Sequence, residues 1–511
     1  MPIAKFSSLQ SLVNSLSKSE KRHFVLFTNR LNSNDKAIYL KLFQLLSKHP
    51  DKNEGYFIKQ CSTSSKSNFT NAKRHLYSQL LRSLRIQYGE SDEMFKARQK
   101  IDHAMILYKR GFYNESLAIL KSLNVVESPI DDIIALEGTE LQKRIESRHI
   151  TRSRATKNRI EILISESNRH RDTVNIESEM LNVCLEIQGL YIKWGFASEQ
   201  RDLLMYEIFF KNQLPELRQI ESSDTALVLW HQAHVWYHYM RLEFHLSYKH
   251  AFKWVTLCTD QKSRLNWDAA LFMRGMHYLL TSCFYLNRQD KYESWYKTYV
   301  DWRQKEMIHF DEASNLLDLS YFSNAELNLR LITNKFHKLD HYVQQWNTRI
   351  ADSVYKLDKH RIRIFYYKYA MLYSYRGDNE KAIDYLNLVI DDNDLQLRLD
   401  IFCYARLVHL LCHYKLNNFH LIINLLPSVK QSFESAKLYN PVVELMVNFL
   451  RRGSRAMNFG IGPYIQDTIH KLEGSEIDKL DKVAFLYFDF TSWVTSILNN
   501  TTMEKIRSEQ V

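Results

Sequence analysis

The chain has 511 residues, of which 45% are hydrophobic and 25% charged, a composition typical of folded proteins. It contains only 12 glycines and 7 prolines, too few for the turns of a β-sheet protein, so we expect an all-α fold. The formal net charge of +11 predicts association with acidic partners but does not say of which kind.

The cysteines and the N-terminal sequence predict a cytoplasmic location. Six cysteines are scattered along the chain without a CxxC pair, which argues against a disulfide framework or a zinc knot. No run of about 18 apolar residues occurs, so we expect no membrane-spanning helix. The first residues lack the basic-then-apolar pattern of a signal peptide.

Residues 1–90 form a predicted basic helical head. They contain 15 Lys and Arg against five Asp and Glu, and this difference of +10 is nearly the whole net charge of +11. Ser17 or Ser19 can cap a helix that has Glu20 in its first turn, where the helix dipole favours an acid.

The end of this head has two possible interpretations. The first is a helix-turn-helix, made of a short helix, a Ser/Thr-rich turn and a long basic helix from residue 68 to 88. Its basic side chains would then contact the phosphates of a nucleic acid. The turn is longer than the usual three or four residues, and no cluster of base-reading residues is evident. A surface that is solvated, or that binds an acidic protein, is the alternative. The candidate basic residues, two of them from a second basic run, are Lys73, Arg74, Arg82, Arg85, Arg152 and Arg154.

Residues 91–223 are predicted to hold a first helical hairpin followed by irregular helices. Gly111 marks the hairpin turn, and Tyr113 follows it two residues later. In the segment MLNVCLEIQGLYIKWGF, residues 180–196, apolar side chains lie around most of the helix circumference. We therefore expect it to be buried between neighbouring helices.

Residues 224–434 repeat one pattern. At Gly377 two helical runs meet, and Ala382, Leu386 and Val389 follow on one face of the second run. Copies of the pattern start at residues 246, 287, 334, 377 and 417, which are 41, 47, 43 and 40 apart. Such a period predicts one helical hairpin per copy. Residues 435–511 are then a helical cap whose polar tail, from residue 499, is expected to fray.

The pattern resembles the second half of a tetratricopeptide repeat, with Gly377, Ala382 and Leu386 at matching positions and the polar Asn379 where that family has an aromatic residue. The resemblance implies a right-handed α-solenoid of tetratricopeptide-like hairpins that binds a protein or peptide in its concave groove. Core packing is the alternative role for the side chains that the resemblance places in this groove, which are Trp236, Met240, Glu243, Phe244, Tyr367, Met371, Ser374 and Tyr375.

A histidine-rich helix is the one cluster that suggests metal chemistry. His231, His234, His238 and His245 lie near one face, and the four-residue spacing of His234 and His238 can grip a divalent ion. Glu243 is the nearest carboxylate, but we expect it on a different part of the helix, and HExxH is absent. Packed or groove-edge histidines are the preferred interpretation, with no metal cofactor; a metal-dependent enzyme centred on His234 and His238 is the alternative.

Other catalytic motifs are absent from the sequence. It contains no phosphate-binding GxxxxGK[ST] or GxGxxG loop after a strand and no GxSxG elbow. We therefore predict a non-enzymatic scaffold with a protein or peptide partner and no cofactor. The rival is a regulator whose basic head binds nucleic acid while the solenoid senses a partner.

Overall fold

The computed structural model is all helical. It describes residues 6–30, 36–61, 66–125, 131–148, 158–260, 268–352, 357, 359–391, 398–457, 460–474 and 477–509. Within these ranges we find α- and 3₁₀-helices and no strand, which confirms the all-α prediction. None of the described helices is long and apolar enough to cross a membrane.

The chain divides into two compact units, Met1–Asn175 and Ile176–Val511. The division falls between the predicted boundaries after residues 90 and 223. Residues 176–223 belong with the repeats, because Met180, Ile187 and Tyr206 are buried in the same hydrophobic core as the hairpins that follow.

The first unit has two separate hydrophobic cores, one within residues 9–80 and one within residues 97–145. Its second helix begins at a capping box, where the N–H of Glu20 donates to Ser17 Oγ and the N–H of Ser17 donates to the Glu20 carboxylate. The predicted cap at Ser17 is therefore confirmed. The helices are α1 (Phe6–Ser15), α2 (Lys18–Arg30), α3 (Lys36–Lys48), α4 (Glu54–Gln60), α5 (Lys66–Ser91), α6 (Glu93–Lys109), α7 (Tyr113–Lys121), α8 (Asp132–Arg148) and α9 (Arg159–Trp194), which continues into the second unit.

The second unit contains six consecutive helix pairs. Two helices, α10 (Gln200–Gln213) and α11 (Leu217–Ile220), precede them. The pairs are α12 (Asp224–Met240) with α13 (Phe244–Thr259), α14 (Ala269–Tyr285) with α15 (Gln289–Glu306), α16 (Glu312–Thr333) with α17 (Leu339–Asp352), α18 (Lys359–Arg376) with α19 (Asn379–Ile390), α20 (Leu399–Lys415) with α21 (Phe419–Ser435), and α22 (Pro441–Ala456) with α23 (Gly462–Glu473).

Successive pairs stack on one another. The second helix of each pair contacts the first helix of the next, and each first helix also contacts the next first helix, from α12 to α22. The predicted inward positions are buried in these helices, as shown by Ala382, Leu386 and Val389 in α19. In α19 the small side chain of Ala382 lets the two helices of the pair approach closely.

The turns within the pairs share one backbone geometry. A residue with positive φ follows the first helix in all six, at Leu242, Asn287, Asn334, Gly377, Asn417 and Met457. In the first five, the N–H of the next residue donates to the carbonyl five positions earlier, with N···O distances of 2.8–3.2 Å, which is the Schellman motif. Glycine and asparagine tolerate this conformation best, and four of the five predicted turn positions are confirmed.

Two predicted positions need correction. Leu246 lies inside α13, one helical turn beyond the actual turn residue Leu242, whose φ is +59°. The tail after residue 499 is not frayed over its described part, because Met503–Glu509 form a helix in which Met503 and Ile506 are buried. This helix, α25, follows α24 (Phe490–Leu498), and the guanidinium of Arg507 donates to the carbonyl of Leu331 at 2.9 Å.

Candidate functional site

The predicted groove-lining residues lie mainly in the protein core. In the first copy Trp236, Met240 and Phe244 are 5%, 0% and 8% exposed, and only Glu243 keeps a moderately exposed side chain. In the copy at Gly377 all the predicted side chains are buried, namely those of Tyr367, Met371, Ser374 and Tyr375. Seven of the eight predicted groove residues are therefore buried in the core, as the core-packing alternative expects.

Segments from elsewhere in the second unit cover these positions. The hydroxyl of Tyr367 donates to the carbonyl of Tyr487 at 2.9 Å, and the hydroxyl of Tyr375 accepts from the N–H of Asp489 at 3.2 Å. Trp236 packs on Tyr191, with ring centroids 5.0 Å apart. The first-helix face of these pairs is thus occupied by the chain itself.

Two residues of the predicted basic surface are paired with acids. Lys73 Nζ lies 2.5 Å from Glu54 Oε1, and the Lys73 side chain is only 12% exposed. Arg85 donates to Asp102 Oδ2 at 2.6 Å but stays largely exposed. These pairings leave Lys73 poorly placed to contact a phosphate.

The structure describes two of the other four residues of that surface. Arg74 and Arg82 lie on α5 and are exposed. Arg152 and Arg154 lie outside the described residues. In the same unit an open groove between α2 and α3 combines an apolar floor with a basic rim, a surface that suits an acidic protein; its lining includes Lys21, Arg22, Val25, Leu26, Phe43 and Lys48.

An exposed apolar row lies on α9, in the segment that the sequence predicts to be buried. Leu181, Leu185 and Ile192 are 48%, 57% and 43% exposed, while Met180 and Ile187 on another face are fully buried. The spacing of four and seven residues places the exposed three in one stripe. The expectation of burial on all sides is therefore wrong, and we call Leu181, Leu185 and Ile192 the α9 stripe.

The histidine cluster joins two helices of one hairpin. His231, His234 and His238 project from α12, and His250 projects from α13. One side-chain nitrogen each of His234, His238 and His250 lies within 4.8 Å of the other two. His245, the fourth histidine of the predicted cluster, is exposed and is not one of the three.

Ring packing and hydrogen bonds hold this cluster in place. The rings of His234 and His250 are nearly parallel, with centroids 4.2 Å apart, and Trp230 packs on His234 at 3.9 Å. The Nδ1 atoms of His231 and His250 are 3.0 Å apart. Among the described residues, neither ring nitrogen of His234 has a hydrogen-bond partner, although both are buried.

Glu243 contacts the cluster directly. His238 Nδ1 donates to Glu243 Oε2 at 2.8 Å, and Arg241 approaches the other carboxylate oxygen at 3.4 Å. Glu243 is the residue before α13, so the Schellman turn brings its carboxylate back towards α12. The predicted separation of Glu243 from the histidines is therefore wrong.

Burial keeps these imidazoles neutral. Burial, with a smaller contribution from the neighbouring histidines, lowers the pKa of His234 to about 2 and that of His250 to about 3. The pKa of His238 is also lowered by burial, against the hydrogen bond to Glu243, which raises it. A neutral imidazole has a free electron pair on one nitrogen, which is the form that binds metals.

The sequence alone identifies only part of this cluster. His234 and His238 are recognisable from their spacing on one helix, but His250 is twelve residues further on, in the next helix. Because the turn lies at Leu242, α12 and α13 are antiparallel and His250 lies beside His234 and His238. The missing signal was therefore the turn position.

Comparison with known proteins adds no assignment, since no family model, curated protein or solved structure matches this chain.

Proposed function

We propose that this chain is a non-enzymatic scaffold that binds a protein partner, built as a right-handed, tetratricopeptide-like α-solenoid. Six stacked pairs with a recurrent Schellman turn support the architecture. The exposed α9 stripe is the observation that carries the binding role. Contiguous exposed apolar side chains on a folded protein commonly mark an interaction site.

The shape of the α9 stripe suits one amphipathic helix. From Leu181 to Ile192 the stripe spans twelve residues, about 16 Å along the helix axis, and it is one side chain wide. A partner helix with apolar residues at a similar spacing can lie along it.

The proposed binding surface differs from the predicted concave groove. Tyr367 and Tyr375 are covered by the chain's own C-terminal residues, so a partner there has to displace Tyr487 and Asp489. The α9 stripe needs no such displacement. The scaffold proposal therefore rests on α9 rather than on the groove.

Affinity capture from a native lysate, with and without nuclease, tests this proposal. The test variant changes Leu181, Leu185 and Ile192 to Gln, and the control changes the exposed Leu421 and Ile423 of α21 to Gln. We expect a discrete protein that resists nuclease, binds the control and is lost from the test variant. Chemical cross-links from that protein to α9 would complete the assignment.

Two other outcomes contradict the proposal. Self-association through α9, detected as a dimer by light scattering and lost in the test variant, would make the stripe a contact between copies of this chain. Recovery that collapses with nuclease, falls steeply with salt and is lost on charge reversal of Arg74 and Arg82 would establish the rival, a nucleic-acid-binding regulator.

A further inference from the structure

The histidine cluster has the side-chain composition that metal ions favour. Three imidazoles from two adjacent helices place nitrogen atoms within 4.8 Å of one another. The buried nitrogens of His234 are without a hydrogen-bond partner among the described residues, which costs free energy unless a ligand uses them.

We propose that His234, His238 and His250 bind one Zn²⁺ ion, with water at the fourth position. Zinc prefers imidazole nitrogen and tetrahedral coordination, and sites with three protein ligands keep one position open. His234 and His238 are four residues apart on α12, and His250 approaches from α13. This site is independent of the α9 stripe and of the scaffold proposal.

The geometry requires only side-chain movement. Zinc–nitrogen bonds of about 2.0–2.1 Å place tetrahedral ligand atoms about 3.3–3.4 Å apart. The three nitrogens lie within 4.8 Å of one another, so they must converge by up to about 1.5 Å. Rotation of the stacked rings of His234 and His250 out of their parallel arrangement supplies that movement.

The surroundings provide supporting hydrogen bonds to two of the three proposed ligands, His238 and His250. A ligating histidine usually donates its second nitrogen to a carboxylate or another acceptor, which fixes the ring. Glu243 accepts from His238 Nδ1 at 2.8 Å, and His231 lies 3.0 Å from His250 Nδ1. Three nearby cations oppose a metal, namely Lys249, Lys253 and Arg241. Solvent screens the exposed Lys249 and Lys253, and Arg241 is paired with Glu243.

Direct metal binding to the full chain tests the site. The protein, made without a histidine tag, is stripped with a chelator and titrated with Zn²⁺ against a chromophoric competitor, and with Co²⁺ to record its absorption spectrum. We expect one ion per chain, a Co²⁺ spectrum of tetrahedral type, and a higher unfolding temperature with Zn²⁺, because binding to the folded state stabilises it.

Variants locate the ion. His238→Gln and His250→Gln should each weaken Zn²⁺ binding at least a hundredfold, and Glu243→Gln should weaken it about 10- to 100-fold because the hydrogen bond to His238 loses the negative charge of its acceptor. His420→Gln, which changes an exposed histidine of α21, should leave affinity unchanged. Circular dichroism checks that each variant is folded. If the histidine variants do not fold, Glu243→Gln still tests the site, because it keeps all three ligands.

Three results would overturn the proposal. These are failure of the unaltered chain to bind Zn²⁺ or Co²⁺, an octahedral Co²⁺ spectrum, or Zn²⁺ affinity in folded His238→Gln and His250→Gln that equals that of His420→Gln and of the unaltered chain. Any of them would rule out a tetrahedral zinc site at the three histidines.

Discussion

At the scale of the residue, His277 shows how burial of a titratable group makes stability depend on pH. It lies in α14, its ring is stacked on Tyr321 at 4.9 Å, and its Nδ1 is 3.3 Å from Asn324 Nδ2. Burial lowers its pKa to about 3, with a smaller effect from the positive charges of Lys368, Arg361 and Arg274. The folded state therefore holds this imidazole neutral across the range in which the unfolded chain protonates it.

This difference predicts the sign of the pH effect. Between the unfolded pKa of about 6.5 and the folded pKa of about 3, the unfolded chain binds the additional proton, so the free energy of unfolding falls as pH falls. His277→Gln should make this dependence shallower by up to about 1.4 kcal/mol per pH unit between pH 6 and 4. Urea unfolding at several pH values measures it. His420→Gln is the exposed control, and equal slopes in both variants would contradict the prediction.

At the scale of the element, the turn at Gly377 combines two reasons for glycine. Its φ is +97°, and a Cβ built there would lie 2.8 Å from Thr502 Cγ2, just before α25. Gly460 has a φ of +69° but no atom within 4 Å of the same position. Substitution of Gly460 therefore measures only the backbone cost of a side chain at positive φ. Substitution of Gly377 measures that cost together with the steric conflict with Thr502.

We expect Gly460→Ala to lower the free energy of unfolding by about 1 kcal/mol and Gly377→Ala by clearly more, about 2–3 kcal/mol. Thr502→Ser removes the methyl group that a new Cβ would meet. In the Gly377→Ala background, Thr502→Ser should raise the free energy of unfolding again. The expected gain is about the amount by which Gly377→Ala is more destabilising than Gly460→Ala. Denaturant unfolding of the four proteins forms a double-mutant cycle, in which simple additivity would show that the methyl is not the obstacle.

The last helix supplies a second test at this scale. Ile506 of α25 is 3% exposed, whereas its neighbour Lys505 is exposed. Ile506→Ala should lower the free energy of unfolding by roughly 2–4 kcal/mol, and Lys505→Ala should change it by less than about 0.5 kcal/mol. Thermal unfolding compares them; equal melting temperatures would mean that α25 contributes little to the fold.

The elements also show which features could be predicted from the sequence. The turns at Asn287, Asn334 and Gly377 could be located because a left-handed residue leaves a compositional signal. Leu242 leaves none, since leucine is not favoured in that conformation, and the misplaced turn also concealed His250. The exposure of Leu185 was missed because periodicity shows that a face is apolar but not whether a neighbour covers it.

At the scale of the whole molecule, contacts distant in sequence decide what each surface can do. The groove prediction located helical faces with large apolar side chains, and those faces are buried. It could not show that Tyr487 and Asp489, more than 100 residues further along, cover Tyr367 and Tyr375. A local pattern specifies a helix face, whereas the occupant of that face is a property of the complete chain.

This long-range cover has a consequence for synthesis of the protein. Tyr375 leaves the ribosome 112 residues before Tyr487, a delay on the order of ten seconds at ordinary translation rates. During that interval the aromatic face of α18 lacks its permanent cover and is open to chaperones. A chain that ends early, for example at a premature stop codon, never acquires that cover. Tyr487 and Asp489 therefore distinguish chains whose α18 face is covered from chains in which chaperones can still bind that face.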